Sequence, residues 1–456
     1  MGEFDGVRAT VMGLGRFGGG LGVTRFLCER GARVTLTDIA SEQELREPLG
    51  ELRPLIDAGR VTLRLGGHDE RDFTGADLVI ANPAVPKPWE NVYLRAADRA
   101  GVRVTTEIAL VCERLPGGCV SVGITGSVGK STTSAMIAHA LSSLGVDAPL
   151  GGNIGGSMLC EVEGFTSRTA PVLELSSAML YWIDRAQLAW SPRVAVATNL
   201  KPNHMDWHGT MEHYAWSKQR LLTKQHAGDA AVLGFGIADW PTLDGAERII
   251  VDEDARVQGL NVPGRHNAWN GAMAREAVRA ALTRMGKQFE DRAIEDALRS
   301  FPGLPHRLCL VHEAGGVRFY DDSKATTPEA TILAVRSLVE AGLRVRLIAG
   351  GYDKKIDLSA VGAMARDDAS PHERVHGLYT IGATGDVIAA AANGRGVQCR
   401  TLDVAVARAM DDSHAGDAVL LSPACASWDQ FTNYEERGRM FAELVRGTRT
   451  PQKEAM

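Results

Sequence analysis

The chain has 456 residues, of which 45% are hydrophobic and 23% charged, as expected for a globular protein of about three domains. Its formal net charge of −6 predicts no basic surface for nucleic acid or for an anionic membrane. The N-terminus lacks the basic and apolar regions of a signal peptide, and no apolar run is long enough to insert into a membrane. The seven cysteines are scattered and form no C-x-x-C pair, which favours a reducing, cytoplasmic location.

Short apolar runs alternate with helical patterns in the first hundred residues. The predicted strands are 9–12, 33–37, 78–80 and 102–104, and a helix runs to about Arg30. This βαβ series predicts a mostly parallel, doubly wound sheet. The first turn, 13–18, reads Gly-Leu-Gly-Arg-Phe-Gly, with Asp38 about twenty residues later. It is either a diphosphate-binding fingerprint or a tight βα turn, and the pattern does not separate NAD from other nucleotide diphosphates.

Residues 123–132 read Gly-Ile-Thr-Gly-Ser-Val-Gly-Lys-Ser-Thr, between an apolar run at 119–122 and a helical pattern at 134–141. Strand, glycine-rich turn and helix form the setting of a phosphate loop, in which backbone N–H groups and the helix dipole attract phosphate. Lys130 would reach the β- and γ-phosphates, and Ser131 or Thr132 would bind Mg²⁺. Ile124 stands where the longer form of this motif has glycine.

Three polar residues in the middle of the chain are candidates for chemistry. Glu174 ends the predicted strand 172–175, where a Mg²⁺ ligand belongs in a phosphate-loop protein. His204 lies in a polar loop after the predicted strand 194–197 and could bind a metal, although such a histidine is usually a hydrogen-bonded loop residue. Lys218 follows on a predicted helix over 214–224, and its spacing alone assigns it no role.

The βα alternation continues to the end of the chain. The remaining predicted strands are 231–233, 317–320, 345–348, 378–381 and 418–421, with a turn-rich linker at 301–305. Polar or glycine-rich loops at 321–328, 350–355 and 422–429 follow three of these strands and predict a binding face at their carboxyl ends. We predict an α/β protein of three tandem domains, each with a mostly parallel doubly wound sheet: 1–106, 107–305 and 306–456.

Several segments together resemble the Mur ligase family, over nearly the whole chain. They are 125–132, 151–155, 174–177, 204–206 with Lys218, 264–270, 303–307, 322–326, 350–351 and 422–438. Many ATPases share the phosphate loop, whereas Asp-Ser-Lys-Ala-Thr at 322–326 and Ser-Pro-Ala-Cys-Ala-Ser at 422–427 are much narrower. These two segments point to the glutamate-adding members.

The resemblance implies three substrates and assigns residues to each. The first domain would bind UDP-N-acetylmuramoyl-L-alanine through Gly13, Leu14, Gly15, Arg16, Phe17 and Asp38, with Asn153 and Ser176 of the central domain. The central domain, a P-loop ATPase-like fold, would bind ATP through Gly126, Ser127, Gly129, Lys130, Ser131, Thr132, Asn267 and Asn270. His306, Arg307 and Asp322 of the third domain would complete the ATP site. Glutamate would meet Lys324, Thr326, Lys354, Ser427 and Tyr434.

The resemblance also implies a mechanism. Lys130, Glu174, His204 and Lys218 would be catalytic, and Ser131, Glu174, His204 and Lys218 would serve two Mg²⁺ sites. Lys218 matches the family's lysine that carries CO₂ as a carbamate. The L-alanyl carboxylate would take the γ-phosphoryl group of ATP, and the glutamate amine would then attack the acyl phosphate. We expect a monomeric enzyme of peptidoglycan precursor synthesis that uses D-glutamate.

The chain departs from the family pattern at four places. Val128 replaces a polar residue of the loop, Asn203 an aspartate and Met179 a glutamine, while 82–84 read Asn-Pro-Ala in place of Ser-Pro-Gly. None of these is essential to the mechanism.

We weigh three alternatives to this function: the first keeps the ligase chemistry with another amino acid, and the other two belong to different classes of protein. Ligation of L-glutamate or another amino acid stays open, because both enantiomers of glutamate carry the same charges. A non-catalytic nucleotide-binding relative would not need Lys130, Glu174, His204 and Lys218 together. An NAD-dependent dehydrogenase would leave the phosphate loop unexplained, and we set it aside.

Overall fold

The computed structural model describes residues 2–14, 19–188 and 190–447. Strands and helices alternate along the chain and form three sheets. The strands are β1 (Arg8–Met12), β2 (Arg33–Asp38), β3 (Val61–Leu65), β4 (Leu78–Ala81), β5 (Arg103–Thr105), β6 (Val122–Thr125), β7 (Leu150–Gly152), β8 (Val172–Glu174), β9 (Val194–Ala197), β10 (Ala230–Gly234), β11 (Glu247–Val251), β12 (Cys309–Ala314), β13 (Val317–Asp321), β14 (Arg344–Gly350), β15 (Val375–Ile381), β16 (Gly396–Arg400) and β17 (Asp417–Leu421).

Helices connect most of these strands. They are α1 (Gly19–Glu29), α2 (Arg46–Asp57), α3 (Glu70–Thr74), α4 (Val92–Arg99), α5 (Glu107–Arg114), α6 (Lys130–Ser143), α7 (Ser177–Arg185), α8 (Met205–His208), α9 (Met211–Thr223), α10 (Arg265–Arg284), α11 (Asp291–Arg299), α12 (Pro328–Glu340), α13 (Ser359–Ala363), α14 (Gly385–Ala391), α15 (Leu402–Asp411) and α16 (Tyr434–Gly447). Among the described residues, no helix combines the length and the apolar character that a membrane crossing requires.

The first sheet has the strand order β3-β2-β1-β4-β5, and all its strands are parallel. Every residue of β4 is buried, as in a strand covered by helices on both faces. Because β1 pairs with both β2 and β4, the strand order reverses at β1. Ligands of open α/β sheets bind at such a reversal, and Gly13 follows β1 directly.

The second sheet has the order β11-β10-β9-β6-β8-β7 and is also parallel. The central strand β6 lies between β8 and β9, so the phosphate loop, Glu174 and the loop after β9 meet at one edge. The predicted strand at 119–122 was wrong by three residues, because the pairing with both neighbours begins only at Val122. Ile124 is therefore a buried strand residue, and the glycine-rich loop begins at Gly126.

The third sheet has the order β12-β13-β17-β14-β15-β16, in which only β12 is antiparallel. Gly315 and Gly316 join β12 to β13 and have φ angles of 59° and 75°, as a two-residue hairpin turn requires. The loops after β13, β17 and β14 leave neighbouring strands at their carboxyl ends. These are the three loops that the sequence predicted to form a binding face.

The chain divides into two compact units. The first unit, Met1–Ala255 with Asn270–Leu298, contains the first and second sheets, and the second unit, Arg256–Trp269 with Arg299–Met456, contains the third. The predicted α/β class with three mostly parallel sheets is confirmed. The predicted domain boundaries at 106 and 305 stay predictions.

Candidate active site

The phosphate loop joins β6 to α6 and needs both of its glycines. Gly126 and Gly129 have φ angles of 141° and 84°, which residues with a side chain rarely adopt. A Cβ at Gly126 would lie 1.9 Å from Thr198 Oγ1, and one at Gly129 would lie 2.5 Å from Asn270 Oδ1. Gly129 is the N-cap of α6 and has no side chain with which to cap it. The first N–H groups of α6 are thus left to an anion.

The loop after β9 holds the phosphate loop in place. Asn199 Oδ1 accepts from Val128 N at 3.0 Å, and Asn199 Nδ2 donates to Val128 O at 3.0 Å. Ser127 Oγ lies 3.0 Å from the Tyr214 hydroxyl and donates to Lys201 O at 2.9 Å. The Val128 side chain is 57% exposed, so the apolar residue at this departure from the family pattern fills no pocket.

Glu174 ends β8 at the same edge and is 1% exposed. Its Oε1 accepts a hydrogen bond from Asn153 Nδ2 at 2.8 Å. Its Oε2 is buried, and no hydrogen bond reaches it from the described residues. Lys130, at the start of α6, donates to Ser127 O at 3.2 Å. Burial lowers the pKa of Lys130, and the Glu174 carboxylate opposes that shift.

Lys218 on α9 is a buried amine. It is 1% exposed, its Nζ donates to Gly126 O at 2.7 Å, and Nζ lies 4.6 Å from the centre of the Tyr214 ring. Burial lowers its pKa well below the usual range, and the charge of Lys130 lowers it further. The neutral amine, which has a free electron pair, is favoured by this environment.

His204 precedes the short helix α8 in a left-handed conformation, with φ 56°. Partial burial lowers the pKa of its imidazole. A neutral imidazole is the form that binds a metal. Asn203, which replaces the aspartate of the family pattern, accepts from the backbone N–H of His204 at 2.9 Å.

The predicted Mg²⁺ ligands fit a cation only in part. Within the described ranges, no group of three His, Cys, Asp or Glu residues is arranged to hold a metal ion. The buried Oε2 of Glu174 still lacks a partner there, and buried carboxylates are normally satisfied. An oxygen donor of this kind suits Mg²⁺. Ser131 is half-buried at the start of α6, and its place in the ligand set stays a prediction, as does that of Thr132 beside ATP.

The glycine-rich turn of the first sheet is held by Asp38. Asp38 Oδ2 accepts from Leu14 N at 2.9 Å, and its Oδ1 accepts from Ala40 N at 2.9 Å. The carboxylate is 8% exposed, and the Leu14 side chain is buried. Asp38 thus stabilises the turn through these hydrogen bonds. A direct contact between Asp38 and the substrate stays a prediction. Gly15, Arg16 and Phe17 lie outside the described residues.

Asn153 belongs to a loop that is fixed at both ends. Its backbone N–H donates to Glu174 O at 2.8 Å, in addition to the side-chain bond described above. At the other end Ser157 Oγ donates to Glu107 Oε1. Burial raises the pKa of Glu107 to about 7, against the effect of the Ser157 hydrogen bond. Ser176, also assigned to the UDP substrate, caps α7 by accepting from Met179 N at 3.2 Å.

Two asparagines assigned to ATP lie near the start of α10. Asn267 is 7% exposed, and its Nδ2 donates to Pro263 O at 2.8 Å. Asn270 is 5% exposed and lies against Gly129 of the phosphate loop. The structure thus places Asn270 beside the loop, and the ATP contact of Asn267 stays a prediction.

In the second unit, Lys324 after β13 lies over the ring of Tyr434, with Nζ 5.1 Å from its centre. His306, with φ 61°, lies 5.9 Å from the same ring and within 2.6 Å of Asp321 Oδ2. Burial lowers the pKa of Lys324, and the charge of Arg307 lowers it further. Burial also raises the pKa of Tyr434 to about 12. Three predicted site residues, Lys324, Tyr434 and His306, therefore form one cluster.

The other predicted residues of this unit lie on the neighbouring loops. Lys354 Nζ donates to Thr326 O at 3.3 Å, which joins two residues assigned to glutamate. Asp322 is 8% exposed, and it accepts from Leu308 N at 3.0 Å and from Ser422 Oγ at 2.7 Å. Burial raises the pKa of Asp322 to about 7. Ser427 is buried after β17, and the ligand contacts of all four stay predictions.

Arg437 is a residue of this region that the sequence analysis did not single out. It is fully buried, and its guanidinium donates to Ser323 Oγ at 2.9 Å, Ser323 O at 2.8 Å and Cys425 O at 3.0 Å. Burial lowers its pKa to about 10. Arg437 therefore ties the loop after β13 to the loop after β17. Its position inside the 422–438 segment was the one signal that could have indicated it.

These features define a P-loop protein built from three α/β sheets. Three family models match it in order: Mur ligase MurD-like N-terminal domain over 7–106, Mur ligase middle domain over 124–242, and Mur ligase glutamate ligase domain over 306–425. UDP-N-acetylmuramoylalanine–D-glutamate ligases of Koribacter versatilis and Anaeromyxobacter dehalogenans are 35% and 36% identical to it, over 97% of this chain and 98% of each relative. The chain belongs to the Mur ligase family, as its motifs predicted.

A solved structure supports the fold. The structure of UDP-N-acetylmuramoyl-L-alanyl-D-glutamate–2,6-diaminopimelate ligase aligns with a TM-score of 0.54 and 16% identity, over 97% of this chain and 93% of that one.

Proposed function

We propose that this protein is an ATP-dependent ligase that joins D-glutamate to UDP-N-acetylmuramoyl-L-alanine in peptidoglycan precursor synthesis. The observation that carries the proposal is the match to D-glutamate ligases at 35% and 36% identity over 97% of the chain. The paired loops around Lys324 and Lys354 support it, because two cations suit an amino acid with two carboxylates.

The chemistry begins with phosphoryl transfer. A carboxylate is a poor acyl donor, so an oxygen of the L-alanyl carboxylate attacks the γ-phosphorus of ATP, and ADP leaves. The glutamate amine then attacks the acyl carbon, loses a proton, and the phosphate is expelled as the amide forms. Lys130 and the first N–H groups of α6 stabilise the negative charge on the transferring group.

Glu174 and His204, with Ser131, are the residues that we propose to hold Mg²⁺. Bound Mg²⁺ would neutralise charge on the phosphate oxygens. The Oε2 of Glu174, which has no hydrogen-bond partner among the described residues, and the lowered pKa of His204 support this assignment. Asn153 orients the Glu174 carboxylate by donating to its other oxygen.

Lys218 is proposed to carry CO₂. A neutral amine attacks the carbon of CO₂, and loss of one proton gives a carbamate with a negative charge. Burial and the neighbouring Lys130 favour the neutral amine that this reaction needs. The product would turn a buried amine into an anionic oxygen donor, able to complete a second Mg²⁺ site near His204. Isotopically labelled bicarbonate would give the carbamate an NMR signal. That signal should be absent from Lys218→Met.

The cytoplasm is the proposed location, where ATP is available and thiols stay reduced. All seven cysteines are free in the structure, which supports a reducing compartment. A monomer is proposed, and light scattering would test it.

The test of the proposed function is ATP-dependent phosphate release with UDP-N-acetylmuramoyl-L-alanine and either D-glutamate or L-glutamate. We expect release with D-glutamate and none with L-glutamate. Omission of UDP-N-acetylmuramoyl-L-alanine or of the amino acid should abolish the release. Release with L-glutamate alone would keep the mechanism and overturn the substrate. No release with either amino acid, from a folded protein that binds ADP, would favour a non-catalytic nucleotide-binding relative.

A further inference from the structure

An aromatic cluster joins a loop of the first sheet to the short helix α8. Trp207 of α8 lies 5.6 Å from Trp89 and 5.5 Å from Tyr181, measured between ring centroids. His213 of α9 lies 4.8 Å from Trp89. Trp207 is only 5% exposed. Edge-to-face pairs of this kind fix the relative orientation of the elements that carry them.

One side of Trp207 contacts the loop that supports the glycine-rich turn. Its indole Nε1 donates to Pro83 O at 3.1 Å. The neighbouring Asn82 packs against that turn so closely that a Cβ on Gly13 would lie 3.1 Å from the Asn82 side chain. The hydrogen bond therefore links α8 to the loop that packs against the proposed UDP-substrate turn.

The other side of Trp207 faces the edge of the second sheet that carries the phosphate loop and Glu174. Its ring lies 4.4 Å from that of His208, whose Nε2 lies 2.8 Å from Ser177 Oγ. Ser177 follows Glu174 by three residues. Burial lowers the pKa of His208 to about 3, so this link does not change charge near neutral pH. His204, at the start of the same helix, shares whatever orientation these contacts impose on α8.

A helix of four residues does not hold its own conformation, so outside contacts must orient α8 and the left-handed His204. We propose that Trp207 is a positioning residue that couples binding of the UDP substrate in the first-sheet turn to binding of nucleotide at the phosphate loop. The inference rests on the proposed function. By linkage, each ligand must strengthen the binding of the other by the same factor.

The experiment measures that factor directly. Calorimetry gives the Kd of UDP-N-acetylmuramoyl-L-alanine with and without saturating Mg²⁺ and AMP-PNP. The wild type should show a ratio of about five or more. Trp207→Phe keeps an aromatic ring and removes the N–H donor, so the ratio should fall by about two- to tenfold toward one, as loss of one hydrogen bond allows. The Kd of AMP-PNP alone should stay within about twofold.

Trp216→Phe is the matched control. Trp216 is also a tryptophan of this region, stacked on His213 at 5.5 Å but 36% exposed, and its replacement should leave the ratio at the wild-type value. If Trp207→Phe does not fold, Asn82→Ala tests the same link from the loop side and should lower the ratio equally.

Two results would overturn the inference: a wild-type ratio of one, or a Trp207→Phe protein that keeps the wild-type ratio. Its failure differs from failure of the proposed function. A wild type that ligates D-glutamate without coupling refutes only the coupling. A wild type that shows coupling without any ligation refutes only the ligase reaction.

Discussion

Replacement of Glu107 by glutamine should change how the stability of the protein depends on pH. Burial raises the pKa of this carboxyl from its ordinary 4.5 to about 7. Between these values the unfolded chain has released a proton that the folded protein still holds. The stability that Glu107 contributes is therefore complete below about pH 4.5 and is lost as the pH rises through about 7. A shift of this size corresponds to about 3 kcal/mol.

Glutamine keeps an oxygen that can accept from Ser157 Oγ and carries no charge. Glu107→Gln should match the wild type at about pH 4.5 and exceed it by about 3 kcal/mol at about pH 8. Urea unfolding followed by tryptophan fluorescence at each pH measures the difference. Asp322, whose pKa burial also raises to about 7, is present in both proteins and cancels.

Glu42→Gln makes the same chemical change at an exposed position and should shift stability by less than about 0.5 kcal/mol at any pH. Parallel stability curves for the wild type and Glu107→Gln would refute the reasoning and show that water reaches the carboxylate.

Three further substitutions test the candidate site. Lys218→Met keeps the buried aliphatic part of the side chain and removes the amine. Turnover should fall at least about a hundredfold, while Tm should change by a few degrees at most. Wild-type turnover in this variant would exclude a catalytic role for Lys218. Gly129→Ala places a Cβ 2.5 Å from Asn270 Oδ1 at φ 84°, which costs about 1–2 kcal/mol and should weaken calorimetric binding of Mg²⁺ and ADP about tenfold; an unchanged Kd would mean that phosphate binds elsewhere. Arg437→Met leaves the buried acceptors Ser323 O and Cys425 O without their donor, so it should cost about 2–5 kcal/mol and raise the KM for glutamate; equal thermal unfolding and KM would contradict the link between the two loops.

The sequence predicted the central strands and the edge strand β5, and it missed the other edge strands. The strands that the sequence analysis missed, β3, β7, β11, β12 and β16, all lie at sheet edges. An edge strand is covered less, so its polar residues interrupt the apolar run on which the prediction depends. Four of the five residues of β11 are exposed or half-buried, whereas all five of β10 are buried.

The residue types of the candidate site were predictable, but their partners were not. Glycine, lysine and serine at fixed spacing indicate a phosphate loop because each has a local geometric task. The bond from Lys218 Nζ to Gly126 O joins residues 92 positions apart, and the bond from Trp207 to Pro83 joins residues 124 apart. Such contacts depend on how the sheets pack, which no local pattern contains. Asp38 is a second example: its spacing predicts a ligand contact, which stays a prediction, but no local pattern indicated that its carboxylate accepts from the backbone N–H groups of Leu14 and Ala40.

The hairpin at the edge of the third sheet has a consequence for the order of folding. Its two strands are joined by Gly315 and Gly316 alone, so they can pair within microseconds of chain collapse. The adjacent pair β13–β17 joins Arg318 to Ala418, one hundred residues later, and must first close that long loop. The hairpin should therefore form early as a template, and the strand that carries the Ser422–Ser427 loop should be added late. Pulsed hydrogen exchange during refolding would detect this as early protection of the Val317–Asp321 amides and late protection of Asp417–Leu421.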